Sequence, residues 1–104
     1  MVILKVALLG VGRIGRIHAK NIHLNPNSKL EYIYDINQRS AKEISKLYGG
    51  KIVESAEQAI TNKDVDVVYI CSDTATHTEY ILSAAKEGKA VFCEKPIDLD
   101  ISRV

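Results

Sequence analysis

The stretch Ile3-Leu4-Lys5-Val6-Ala7-Leu8-Leu9-Gly10-Val11-Gly12-Arg13-Ile14-Gly15-Arg16-Ile17-His18-Ala19-Lys20-Asn21-Ile22 decides the fold of this chain. Its first seven residues are apolar except for Lys5, a run suited to a parallel strand covered on both faces. Gly10-Val11-Gly12-Arg13-Ile14-Gly15 then follows the spacing G-x-G-x-x-G. Gly10 permits a tight turn off the strand, and Gly12, lacking a Cβ, lets a pyrophosphate approach the backbone. Gly15 opens an i, i+3, i+4, i+7 row with His18, Ala19 and Ile22, the face of a helix that must lie close to the sheet. The start of that helix offers unpaired N–H groups and a partial positive charge to an anion.

Alone, such a glycine pattern is a weak signal. Here an acid follows at the expected place: Asp35 ends the next apolar segment, Leu30 to Tyr34, twenty residues after Gly15. A carboxylate there accepts both hydroxyls of an adenosine ribose, the pairing that NAD requires. Strand, turn, helix and distal acid thus agree on a dinucleotide site, against the alternative of a glycine turn that binds nothing. Arg13, in the turn itself, is either a pyrophosphate partner or a solvated cation.

The rest of the chain repeats the alternation. Asn25 to Ser28 is turn chemistry, and Lys29 to Asp35 reads as a second strand. A helix is predicted over Gln38 to Tyr48, capped by Asn37, buried through Ala41, Ile44, Leu47 and Tyr48, and ended by Gly49-Gly50. Lys51 to Val53 suits an edge strand. Ser55-x-x-Gln58 is a capping box for a short helix ending near Thr61. Val65 to Cys71 is a buried-type strand. Thr76-x-x-Glu79 reads as a second capping box, with a stripe of His77, Tyr80, Ile81, Ala84 and Ala85 ending at Gly88. Ala90 to Cys93 is a fifth strand running into Glu94-Lys95-Pro96, where Pro96 keeps Lys95 extended. Asp98 is a candidate cap for a last helix turn. Strands alternating with helices imply a doubly wound parallel α/β sheet of the Rossmann type, in the order 3-2-1-4-5, with a crevice above strands 1 and 4.

At 104 residues the chain is expected to form one domain, a dinucleotide-binding domain over residues 1–104. A net charge of +1, spread along the chain, gives no basic stripe for nucleic acid and no run for a membrane surface. No segment has the length of a membrane span, and the early Lys5 and glycine turn do not form a signal peptide, so a cytoplasmic location is expected. Cys71 and Cys93 lack metal-ligand or C-x-x-C spacing, and buried thiols are expected at neighbouring strand ends. No metal site is expected.

With Gly10 to Gly15, Asp35 and Glu94-Lys95-Pro96 on the page, the chain resembles the N-terminal domain of the Gfo/Idh/MocA oxidoreductases, most closely their inositol dehydrogenase branch. Ala75-Thr76-His77 and Ala84 to Lys89 add to the likeness, which spans the whole chain. Arg13-Ile14-Gly15-Arg16 also occurs in glyceraldehyde-3-phosphate dehydrogenases, but Cys71 and Cys93 do not stand where that family's reactive cysteine does. The resemblance implies an NAD-dependent dehydrogenase that takes hydride from a ring hydroxyl carbon of a polyol or sugar. It implies that Lys95 is catalytic, beside the nicotinamide. It implies cofactor contacts from Gly10, Gly12, Arg13, Ile14, Gly15, Asp35, Ser72, Asp73, Thr74, His77, Glu94 and Lys95. His77 is open to a structural reading too, and His18, on the apolar helix face, reads more as a core histidine than a catalytic one. The resemblance also implies that the dinucleotide-binding domain is incomplete here, ending before its last strand, and that the substrate domain, which supplies an Asp/His pair and most of the sugar pocket, is expected to be absent from these residues. The isolated chain is therefore expected to be inactive, a non-catalytic dinucleotide-binding module being the alternative. Exposed apolar surface on the fifth strand and last helix turn is expected to favour self-association.

Overall fold

The computed structural model describes residues 3–72 and 74–93. Its elements are β1 (Leu4–Leu9), α1 (Arg13–Leu24), β2 (Ser28–Tyr34), α2 (Gln38–Tyr48), β3 (Lys51–Ile52), α3 (Ala56–Ile60), β4 (Val67–Ile70), α4 (Thr74–Lys86) and β5 (Ala90–Cys93). The five strands form one parallel sheet in the order β3-β2-β1-β4-β5. This is the doubly wound arrangement that the alternation implied. The order reverses between β1 and β4, which opens a crevice at their carboxyl ends.

Each face of the sheet has its own core. Val6 and Leu8 of β1 meet Ala19 and Ile22 of α1 and Ala41 and Ile44 of α2. Ala7 and Leu9 point the other way, to Ala56, Ala59 and Ile60 of α3 and Ala84 of α4. Four consecutive buried residues, Val6 to Leu9, are what burial on both faces requires. The start of the strand is less enclosed, with Leu4 44% exposed.

β2 departs from simple alternation. Val6 pairs with Leu30 and Ala7 with Tyr32, so Glu31 is an extra residue in the ladder. The slip turns the rest of the strand over. Leu30 and Ile33 thereby share the α1 face, while Tyr32 and Tyr34 pack on the opposite one. Asp35, two residues beyond Ile33, follows it toward the α1 side.

The predicted caps divide. Asn37 accepts from the Ser40 amide, and Ser55 with Gln58 forms a complete capping box. Gly49, at φ +84°, closes α2 as a helix-ending glycine can. The second capping box is not formed: α4 begins at Thr74, leaving Thr76 inside the helix with its hydroxyl 2.7 Å from Ser72 Oγ. Two stripe residues are also corrected. Leu47 is 61% exposed and Ala85 is exposed, because each lies just outside the narrow arc of its helix that touches the sheet. β4 is shorter than Val65 to Cys71, although Val65 is still buried. At the edge, β5 exposes Val91 and Phe92. The predicted contacts Asp73, Glu94 and Lys95, and the turn capped by Asp98, lie outside the described residues.

Candidate functional site

The three glycines of the turn have different neighbours. Gly10 has φ +98°, and a Cβ on it would stand 2.5 Å from the Cys71 carbonyl oxygen and 2.6 Å from the Ser72 nitrogen. The turn is thus pressed against the end of β4 and needs both the left-handed backbone and the missing side chain. Gly15 meets the turn from the helix side: its Cβ would lie 2.0 Å from the Gly10 carbonyl oxygen. The close approach expected between α1 and the sheet is therefore made to the turn itself. At Gly12 a Cβ would meet nothing within 4 Å. Only there does the absence of a side chain leave open space.

Asp35 is tied to this turn. Its Oδ2 accepts the Val11 amide at 2.7 Å, and its Oδ1 accepts the Asn37 amide at 2.7 Å. Gly10 donates to the Tyr34 carbonyl at 2.8 Å, joining the ends of β1 and β2. These bonds fix the carboxylate at the rim of the glycine turn. Each oxygen keeps a further lone pair for an outside donor.

The turn, Asp35 and the end of β4 enclose a cleft of about 250 Å3 lined by Gly10, Gly12, Tyr34, Asp35, Ile36, Cys71, Ser72, Thr76 and Tyr80. Four of the predicted contacts, Gly10, Gly12, Asp35 and Ser72, are thus gathered in one place. Arg13 and Ile14 are exposed on the first turn of α1, next to the cleft but not in its lining. Thr74 opens α4. His77 is placed differently from a direct contact: it is 2% exposed, absent from the lining, and its Nε2 lies 2.8 Å from the Ser72 carbonyl oxygen. His18 is structural, standing edge-on to Tyr69 and Phe92 at ring separations of 5.7 and 5.0 Å.

Tyr34, Ile36, Thr76 and Tyr80 were not read from the sequence as residues of the cleft. Tyr34 and Ile36 flank Asp35, a proximity that marks them in hindsight, whereas Thr76 and Tyr80 reach the cleft only through the docking of α4. Ile36 is 89% exposed, an apolar side chain standing at the rim. Burial pushes the Tyr80 phenol above its usual pKa, and Tyr34 and Glu79 add in the same direction, so at neutral pH it is a neutral hydroxyl.

These features fit a dinucleotide. The first turn of α1 has no side-chain cap and no acidic residue, so its N–H groups and partial positive charge face outward beside the open space at Gly12. That is the chemistry of a phosphate seat, with a carboxylate, Asp35, able to accept ribose hydroxyls beside it. Among the described residues no group of His, Cys, Asp and Glu could hold a metal ion, and no helix is long and apolar enough to cross a membrane.

Comparison with known proteins agrees. The chain is 42% identical over 102 residues to an inositol 2-dehydrogenase of Rhizobium meliloti, covering 96% of this chain and 30% of that protein. A myo-inositol dehydrogenase from Corynebacterium glutamicum superposes with a TM-score of 0.93 at 39% identity, over 98% of this chain and 31% of that one. The scyllo-inositol dehydrogenase of Lactobacillus casei, solved with NAD(H) and scyllo-inositol bound, gives a TM-score of 0.91 at 34% identity, over 97% of this chain and 30% of that one. The chain spans about 30% of the length of these relatives. The Gfo/Idh/MocA model of the oxidoreductase family with an NAD-binding Rossmann fold matches residues 4–104, the span that holds the glycine turn and Asp35, and the chain belongs to that family.

Proposed function

We propose that this chain is the NAD-binding part of a dehydrogenase that oxidises a ring hydroxyl of an inositol-like polyol. The observation that carries the cofactor half is the Asp35 carboxylate, held at 2.7 Å by the Val11 amide beside the glycine turn. It accepts ribose hydroxyls and repels a 2′-phosphate, so NADH is preferred to NADPH. Calorimetry with the two nucleotides tests this; NADPH binding as tightly as NADH removes the assignment.

The polyol half is supported by the inositol dehydrogenases among the relatives. When bound, NAD supplies a hydride acceptor. The chain's own part is to seat it through Gly12, the start of α1 and Asp35, with Ser72 and Thr74 on the β4 side. Lys95, just beyond β5, is proposed to stabilise the alkoxide and pass on its proton. In a full-length form, Lys95→Ala should lower kcat by roughly 100-fold and leave NADH affinity nearly unchanged. Loss of NADH affinity at constant kcat would make Lys95 a cofactor contact instead. The 104-residue chain by itself should not turn over myo-inositol, since both a proton acceptor and a pocket wall must be positioned with the cofactor. Steady NADH production from this chain would contradict that. The exposed Val91 and Phe92 support self-association through the β5 edge, which a concentration-independent monomer in sedimentation velocity would exclude.

A further inference from the structure

His77 is the only polar or charged residue in the buried class among the described residues. Its Nε2 lies 2.8 Å from the Ser72 carbonyl oxygen. A carbonyl only accepts, so the ring must carry its proton on Nε2 and donate it. The preceding peptide, joining Cys71 to Ser72, occupies the space that a Cβ on Gly10 would need, with three of its atoms 2.5 to 2.6 Å from that position. The Cys71 amide is also fixed, donating to the Leu9 carbonyl at 2.7 Å. Ser72 is therefore held at both ends: the peptide before it packs against Gly10, and its own carbonyl, one peptide further on, meets His77 of α4. The Ser72 side chain lines the cleft and meets the Thr76 hydroxyl at 2.7 Å.

We infer that His77 is a positioning residue for the cofactor: by holding the Ser72 carbonyl, from a buried place outside the cleft lining, it sets the distance between the glycine turn and the β4 wall of the cleft. The inference rests on the dinucleotide reading of the cleft and assigns His77 no contact with the ligand. A dinucleotide lies across the point where the strand order reverses. Its adenosine half and pyrophosphate are served by Asp35 and the glycine turn, and its other half must pass the end of β4. His77 should therefore matter for the whole dinucleotide and not for its ADP portion. A histidine that merely filled the core would lower stability without discriminating between the two ligands.

The test is calorimetry of NADH and of ADP on the wild-type chain and on His77→Met and His77→Gln, with thermal unfolding recorded for each. Methionine keeps much of the volume but has no donor, whereas glutamine carries an N–H at a similar reach. Roughly tenfold weaker NADH binding by His77→Met, with ADP unchanged, is expected for one lost backbone-positioning hydrogen bond. His77→Gln should restore most of it. If His77→Met does not fold, His77→Asn takes its place, its amide being one methylene too short to reach Ser72. Equal loss for both ligands, no loss for either, or failure of glutamine to restore NADH overturns the positioning role alone. Absence of NADH and ADP binding by the wild type overturns the dinucleotide reading and the inference with it.

Discussion

The two ends of the cleft are built in different ways. At the β1–β2 end the site is almost entirely main chain: glycines that allow close contact, the bare start of α1, and a carboxylate fixed by the Val11 and Asn37 amides. At the β4 end it depends on side chains from a helix, with His77 behind Ser72 and Thr76 beside it. Main-chain sites follow from a few residue types at fixed spacing. Side-chain sites wait for two elements to dock. Substitutions at the first end should therefore either disrupt the fold or remove the ligand, and those at the second end should have graded effects.

The largest effect should come from Gly15→Ala. Its Cβ would lie 2.0 Å from the Gly10 carbonyl, a backbone atom with no room to yield, so α1 must move off the turn. A loss of about 3 kcal/mol, at the upper end of overpacking costs, is expected in urea denaturation. A variant as stable as wild type would show that α1 adjusts freely and would break the contrast.

Gly12→Val comes next and separates ligand from fold. With nothing within 4 Å of its Cβ, this residue should leave stability within about 0.5 kcal/mol of wild type. Its side chain would occupy the phosphate seat, so NADH affinity should fall roughly 100-fold, the consequence of losing close backbone contact to an anion. Unchanged NADH binding in calorimetry would mean that the phosphates lie elsewhere.

The smallest effect should be that of Ser72→Ala. It removes the hydroxyl pair with Thr76 at 2.7 Å but leaves the carbonyl held by His77. A loss of about 1 kcal/mol or less in stability and a severalfold weaker NADH affinity are expected for one part-buried hydrogen bond. A loss as large as that of Gly12→Val would place the dominant contact at β4 and reverse the comparison.

The difference between the ends is also the difference between what could and could not be read in advance. The sequence by itself determined the strand–turn–helix opening, the capping box at Ser55, the glycine end of α2 and the strand order. Steric limits on φ, local hydrogen bonds and the handedness of crossovers act over short stretches and leave few solutions. It also placed Gly10, Gly12 and Asp35 in one site, since a fingerprint is a spacing of residues along the chain. The tertiary structure decided what depends on register and docking. One extra residue at Glu31 chooses which face of the sheet Asp35 joins, and such a slip barely alters the apolar pattern. Thr76 looked like a helix cap, but the end of β4 supplied Ser72 as its partner and α4 began two residues earlier. His77 read more as a core residue than as a cofactor contact. Only the packing of α4 against β4 brought its Nε2 to the Ser72 carbonyl, because a hydrogen bond between two elements exists only once both are in place.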